Sequence, residues 1–565
     1  MDLHDQPGRQ LLSAFGPERW LLVVLVAALL VGSLDWGLPS AERVEVLLSA
    51  HRLSEEDEES LTVLRERHYS GGQVDRPSGA ELSGPERIEA LRAFLIGSAA
   101  VDERKPYSAL SRMDPWRLDL DPGIYIYGGS FLYPIGGLIV AADRLGWLTI
   151  HRQLHRYVER PQDAARLYLI GRAVSTAAYL GVLVLLGPLG DRLGGRMAGS
   201  FAMLTWSLST VALNQGVVTK PHVYAAFWSL LAVGILIGAE RGSLRRVMLA
   251  GAAAGLAAGA SLAAGVAVVM LPLLIPDRDT RWARARRTLL LWGAALGAFL
   301  LSNPYLPFVT TRFAAELVTH GSADGWGYAN VVLAKLPAYL AEVARGYAAP
   351  LSILGLVAAP FALFARSRQV RRLGAFFLLH LLVVGLSLAN LRISLFLGPI
   401  LCLFVGLGAR WLWRAIAARS GWVAFLVLVL LSLPGMSFAA LFARDTLRTP
   451  TWAPGEQRWL RDVAASEERS FGIYPPLHPV KVPPFPFVDS RVVRLDRFES
   501  PVAAPRWVVV GNHEGERDRW RWERHPLRSR YDLVLVIGSA PLGEWARSWR
   551  VPNQAYKVAW VYQKR

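Results

Sequence analysis

The residues of this chain best suited to do chemistry are ionisable side chains at the edges of long apolar stretches. Asp35, Glu42 and Glu45 follow the first such stretch, Asp119 and Asp121 precede a later one, Lys220 and His222 lie between two more, and Arg392 between a further two. Charge at a membrane boundary is costly unless it serves a pathway or a polar ligand. The acids come from the first long polar loop and the cations from later ones. A site that sets a proton-accepting carboxylate beside a phosphate-binding cation requires that division.

The elements that must position these residues are helices in a membrane. Eleven or so apolar stretches run between residues 21 and 441, joined by short loops dense in arginine. In hydrocarbon an unpaired backbone group costs several kcal/mol, so such stretches are helices rather than open strands, and each needs ~20 apolar residues to span. Hydrophobic residues make up 53% of the chain, and its 50 glycines and 34 prolines fall largely in and around these stretches. The composition excludes a water-soluble enzyme and predicts a mainly α, polytopic membrane protein.

The formal charge of +17 does not indicate nucleic acid. The arginines cluster in loops around Arg192 and Arg196, Arg245 and Arg246, Arg284 to Arg287, Arg366 to Arg372 and Arg410 to Arg419, while alternate loops nearly lack them. That is the positive-inside pattern of a membrane protein. The lone cysteine, Cys402, lies in an apolar stretch, which excludes an intramolecular disulfide or a cysteine zinc site.

The first span is expected at residues 20–33, with a cytoplasmic N-terminus, because no small-residue cleavage site follows it. A large outer loop over 35–166 comes next. Within it Ser83-Gly84-Pro85-Glu86 reads as a helix start for Ile88, Leu91 and Leu95 at helical spacing, a helix that could lie flat on the membrane. Residues 131–150 are apolar but broken by Tyr133-Pro134, Gly136-Gly137 and Asp143-Arg144. They are expected along the outer surface, with 248–275 a helix pair turning near Gly259 to Ser261, since this puts the arginine-dense loops on one side. Further spans are expected near 167–186, 197–213, 223–238, 289–301, 350–364, 373–388, 394–409 and 422–442. Residues 443–565 then form an extracytoplasmic α/β domain, with a helix around 456–464, a proline-rich passage at 475–486 and strands near 506–511, 531–538 and 556–562.

At this level the chain resembles the GT-C superfamily of polyprenyl-phosphate-dependent glycosyltransferases, of the protein mannosyltransferase and aminoarabinose transferase type. Glu42, in Gly37-Leu38-Pro39-Ser40-Ala41-Glu42, sits where that family carries an acid after its first span. DLDPGIYIYGGSFLYP, from Asp119 to Pro134, resembles its Tyr-rich first-loop passage and includes Tyr125 and Tyr127. LIGRAVSTAAYL with DRLGGRMAG, then TKPHVYAAFWSLL, SNPYLPFVTTRF, LRISLFLGPIL and TWAPGEQRWL resemble later elements in the same order. The resemblance covers nearly the whole chain through loose motifs.

The resemblance implies an enzyme of the cell (inner) membrane that moves a hexose or pentose from a polyprenyl-phosphate carrier to an acceptor on the outer face, with inversion. Glu42 would be the base, with Asp35 and Asp121 in reserve. Arg392 would bind the donor phosphate, supported by Lys220 and His222. Asp119, Tyr125, Tyr127, Asn303, Tyr305 and His320 are candidates for acceptor or sugar contacts. Where many relatives have Asp-Glu and Pro-Asp, this chain has Ala41-Glu42 and Pro221-His222, which removes two acids a metal would use; a divalent metal stays open as a cofactor, and no other is implied. Two other readings stay open: a secondary transporter, and a non-catalytic subunit of an envelope-assembly complex.

Overall fold

A computed structural model describes residues 16–48, 90–100, 103–238, 243–275, 280–323, 329–387 and 393–448. In the C-terminal part it describes 458–459, 462–463, 466, 468–474, 482–483, 485, 490–496, 504–511, 517–538 and 558–565. The chain is mainly helical with one small sheet. Its helices begin α1 Pro17–Gly32, α2 Ala41–Leu48, α3 Arg104–Leu110, α4 Gly129–Arg144, α5 His155–Glu159, α6 Pro161–Gly194, α7 Arg196–Leu208, α8 Thr210–Gly216 and α9 Pro221–Ile237. They continue as α10 Leu244–Ala260, α11 Gly265–Met270, α12 Arg281–Ser302, α13 Thr310–Ala323, α14 Ala329–Gly346, α15 Leu351–Ala362, α16 Arg368–Ser387, α17 Gly398–Ala417, α18 Gly421–Arg448 and α19 Arg517–Glu523.

Among the described residues three helices are long and apolar enough to cross a membrane: α6, α17 and Gly421–Arg444 of α18. A fourth span results if α8 and α9 count as one, bent by 111°. The expected number of about eleven is not reached by that measure. Other helices fill further expected positions, α1 at 20–33 and α16 at 373–388 among them. Leu21, Val24 and Leu25 on α1, and Phe425, Leu426 and Leu430 on α18, point outward. Apolar faces so exposed are stable against lipid tails, and the protein is a membrane protein.

The helix over 248–275 breaks as the glycines predict. Helix α10 ends at Ala260, Ser261 is extended, and a 3-10 turn over Leu262–Ala264 precedes α11. The repeat GAAAGLAAG lets α10 lie against α12 at backbone distance: a Cβ on Gly251 or Gly255 would collide with the carbonyls of Leu291 or Ala295. This is small-residue packing of the kind membrane helices use, where no hydrophobic force drives association.

Helix α1 is tied to α6 at both ends. Near its start the buried Arg19 donates in parallel to both Asp191 oxygens at 2.7 Å, and to the Arg196 carbonyl at 2.6 Å. Just past its end, Arg172 of α6 donates to the carbonyls of Leu34 and Trp36, each at 2.7 Å.

Residues 131–150 do not form one helix. Helix α4 stops at Arg144, and Leu145 beyond it is exposed. Phe131, Leu132 and Ile135 are fully buried, in a cluster with Tyr107, Ile170, Ala257, Ala260 and Phe396, while Leu138 and Val140 face outward.

In the C-terminal part β1 Ser470–Ile473, β2 Arg491–Arg494, β3 Trp507–Gly511, β4 Tyr531–Gly538 and β5 Val558–Lys564 form a sheet of order β2-β1-β3-β5-β4. Strands β1, β2 and β3 run parallel, and β5 is antiparallel to both β3 and β4. Three strands match the expected runs; β1 and β2, too short for alternation to register, flank the proline-rich passage. The helix expected at 456–464 falls largely outside the described residues.

One sheet face closes a core with the long segment that follows α1. Phe471, Ile473, Trp507, Val509 and Val561 pack with Leu47, Leu91, Phe94 and Leu95. The segment over Arg92–Ile96, a π-helical turn, is therefore no helix lying flat on a lipid surface. Its apolar side is spent on the sheet.

Candidate functional site

A carboxylate the sequence reading did not single out stands at the buried centre of the segment between α1 and α6. Glu103 stands just before α3, and its partner Arg172 lies one-third of the way along α6; neither side chain is exposed. Arg172 Nε donates to Glu103 Oε1 at 2.8 Å and Nη2 to Oε2 at 2.7 Å. The same carboxylate accepts from the Ser98 hydroxyl, from the Thr219 backbone N–H at 2.8 Å and from the Thr219 hydroxyl at 3.0 Å. Tyr107 extends the network, its hydroxyl 2.9 Å from that of Thr219. Burial raises the Glu103 pKa, but the Arg172 charge and the hydrogen bonds outweigh it and hold the carboxyl below its ordinary value.

Two sequence-predicted residues sit on this node through their backbone. Arg172 holds the carbonyls on either side of Asp35, whose side chain is exposed. Glu103 holds Thr219, the residue before Lys220. Lys220 is fully buried and is the residue from which α9 starts, with Pro221 in the first turn. His222 follows on that turn, its ring 6.2 Å from the ring of Phe396. Phe396 ends the short 3-10 helix Ile393–Phe396. Arg392, immediately before that helix, lies outside the described residues.

Glu42 stands exposed in the first turn of α2. Its neighbour Arg43 turns inward and donates to the carbonyls of Gly97 at 2.5 Å and Gly37 at 3.4 Å. The Gly37 carbonyl also accepts from Ala99 N at 2.7 Å. Gly37 has φ +64 and its α-carbon faces Ala99 so closely that a Cβ would clash. Glycine is needed there for both reasons.

A second group of predicted residues converges on the other side of the α4 cluster. Tyr125 and Tyr305 stack with ring centroids 5.8 Å apart. The Tyr125 hydroxyl donates to Asp121 at 3.3 Å, and its N–H donates to Glu316 of α13 at 2.9 Å. Burial first, and the Asp121 charge second, push the Tyr125 hydroxyl up to about 12, so it stays a donor at any physiological pH. Asn303 Oδ1 accepts from Gly129 N at 2.8 Å and from the Tyr305 hydroxyl at 2.9 Å. Asp119 caps the turn, its side chain accepting from Asp121 N at 3.2 Å. A narrow cavity of about 10 Å³, room for one water, lies between Tyr125, Gly128, Gly259, Phe299, Asn303 and Tyr305.

Tyr127 does not join this cavity. It is buried in one cluster with Phe131 and Ile135 of α4, the chain turning at Tyr125 and Ile126 so that the two tyrosines part. His320 is on α13, one turn beyond Glu316. Among the described residues no three His, Cys, Asp or Glu side chains gather as a metal site.

Sequence reasoning passed over Glu103, Arg172, Thr219 and Glu316. Arg172 left a signal, as a single charge inside the apolar stretch 167–186, where an ionisable residue is costly. Glu103 left none, since it lies in a polar run where acids are ordinary.

Neither a protein-family model nor a curated protein matches the chain. Three solved structures are similar at a distance. ArnT from Cupriavidus metallidurans bound to undecaprenyl phosphate is 13% identical, with 97% of this chain and 98% of that one covered and a TM-score of 0.41. The apo oligosaccharyltransferase of Archaeoglobus fulgidus is 12% identical over 75% of this chain and 63% of that one, with a TM-score of 0.41. The oligosaccharyltransferase AglB of the same archaeon, in complex with an inhibitory peptide and a dolichol-phosphate, is 9% identical over 81% and 62%, with a TM-score of 0.38. The chain thus spans less than two thirds of the archaeal proteins. At identities of 9–13% and TM-scores below 0.5, these likenesses assign no family, residue or substrate to this chain.

Proposed function

We propose that the protein is an integral-membrane glycosyltransferase that takes a sugar from a polyprenyl-phosphate carrier and gives it to an acceptor on the outer face of the membrane. The observation that carries this reading is Lys220. A fully buried lysine at the 111° break between α8 and α9, on the N-terminus of a 17-residue helix, combines a fixed cation with a helix end whose free N–H groups and dipole favour an anion. A lysine buried at membrane depth marks a functional site by default. Through Thr219 it is tied to the node that fixes the backbone around Asp35, so an acid and a cation share one support.

In the reaction an acceptor hydroxyl attacks the anomeric carbon from the face opposite the phosphate. The new glycosidic C–O bond forms as the sugar–phosphate C–O bond breaks, and configuration inverts. Glu42 takes the hydroxyl proton, with Asp35 and Asp121 as its alternatives, an effect of typically ~10²–10⁴-fold. Lys220 and Arg392 offset the charge gathering on the departing phosphate, with His222 beside them. Asp119, Asp121, Tyr125, Asn303 and Tyr305, with His320, are the residues proposed to contact the sugar or acceptor. In that role the acids accept from sugar hydroxyls and the Tyr125 hydroxyl stays tied to Asp121.

The test is release of free undecaprenyl phosphate by the full-length protein in nanodiscs. It is supplied with a panel of undecaprenyl-phosphate sugars and with bacterial envelope lipid as acceptor. Turnover that depends on Lys220 supports the reading. If no donor is consumed and undecaprenyl phosphate does not bind, the function passes to a transporter, which the broken α8–α9 span also suits. Flux into proteoliposomes then decides between a transporter and an assembly subunit.

A further inference from the structure

We infer that Glu103 and Arg172 are positioning residues for the phosphate-binding cation, an inference that rests on the reading of Lys220 given above. Glu103 is saturated: it accepts two hydrogen bonds from Arg172, two from Thr219 and one from Ser98. The pair is enclosed, with neither side chain exposed. What it fixes is backbone. On one side Arg172 Nη1 bridges the carbonyls of Leu34 and Trp36; on the other the carboxylate grips the Thr219 N–H, in the four-residue gap between α8 and α9.

Residues 217–220 leave one helix and enter another, and the Thr219 N–H lies in that gap. In a broken span such groups need a partner or they are orphaned. Glu103 is that partner, reaching in from the segment between α1 and α6. The direction of the Lys220 side chain and of the first free N–H groups of α9 follows from where Thr219 is held. Arg172 in turn keeps the Glu103 carboxylate charged and oriented through its two parallel bonds. The pair touches no donor atom; it acts through Thr219.

The experiment measures binding of undecaprenyl phosphate, with undecaprenol as the phosphate-free control, to the full-length protein in nanodiscs. Lys220→Ala should weaken the phosphate-dependent part about ten-fold or more. The charge-balanced double variant Glu103→Gln with Arg172→Gln, which leaves no unpaired buried charge, should weaken it comparably while undecaprenol binding stays unchanged. Adding Lys220→Ala to the double variant should cost little more, because both changes remove one interaction. Losses that multiply, or a folded double variant that binds like the parent, overturn the inference.

Should the double variant not fold, Thr219→Val carries the test. It removes the hydroxyl bond to Glu103 and keeps the backbone one, so a loss of a few-fold that vanishes in the Lys220→Ala background is expected. Parental binding by Thr219→Val, or an equal loss in that background, overturns the inference. If Lys220→Ala itself leaves phosphate-dependent binding unchanged, it is the reading of Lys220 as phosphate ligand that fails, and the positioning role falls with it.

Discussion

Glu103 and Arg172, 69 positions apart, meet in two parallel hydrogen bonds of 2.8 and 2.7 Å with neither side chain exposed. Around this contact the chain gathers the exit of α1, the start of α3, the first half of α6 and the gap before α9.

Removing one partner leaves the other as an uncompensated buried charge. Arg172→Ala or Glu103→Ala should each cost about 3–5 kcal/mol of stability, and the charge-balanced double variant less than either. Thermal unfolding in detergent measures this. The pH dependence follows from the depressed carboxyl of Glu103: its contribution is complete above the ordinary value of 4.5 and is lost as pH falls through the lower folded value. Melting temperatures of the parent should therefore converge on those of Glu103→Gln in acid and stand well above them at neutral pH.

Glu42→Gln keeps size and hydrogen bonding and removes basicity. Transfer should be abolished while undecaprenyl phosphate binding stays within two- to three-fold of the parent, a split that marks a group used only in the transition state. Transfer at the parental rate would move the base to Asp35 or Asp121, and Asp35→Asn and Asp121→Asn are the variants to assay next.

Arg392→Ala should weaken both donor binding and turnover, by about 1.5–3 kcal/mol if it makes one charge-assisted hydrogen bond to the phosphate. Titration with undecaprenyl phosphate reads the binding part, and kcat/KM for release of the lipid phosphate reads the rest.

Asn303→Ala orphans the buried Gly129 N–H and takes the acceptor from the Tyr305 hydroxyl. A loss of about 1–3 kcal/mol in stability is expected, together with a higher KM for sugar or acceptor, because the cavity wall at Gly128 and Tyr305 loses its tie.

The arginine-dense loops predict a cytoplasmic N-terminus and an outer C-terminal domain. Cysteines placed at Arg284 and Arg368 should resist an impermeant thiol reagent in intact cells, whereas one at Arg517 should react. Cys402 is buried and does not interfere. The reverse labelling pattern would invert the topology and remove the site from the outer face.

What could be read from the chain depended on how local the cause was. The break at Ser261 was legible because glycines and serine mark it within a few residues, and β3 and β4 because their apolar runs are long. The convergence of Asp121, Tyr125, Asn303 and Tyr305 was partly legible, as each had been singled out; their meeting depends on α10 and α12 packing at backbone distance. Glu103 was illegible, since its role comes entirely from burial by segments far away in sequence. The 90–96 segment misled for the same reason: an apolar helical face looks alike whether lipid or a sheet covers it.

The two arginine ties on α1 have a consequence for the membrane itself. The helix has 16 residues, about 24 Å at 1.5 Å per residue, against a hydrocarbon layer of ~30 Å. On the reading that α1 is the first span, clamping to α6 near both ends keeps it from sliding or unwinding to make up the difference, and the bilayer beside it is expected to thin. If the protein is the transferase proposed above, it would meet its lipid carrier in a local dimple, with the headgroup drawn toward the protein. Its rate should then change with the acyl-chain length of the surrounding phospholipid, even where every residue at the site is intact.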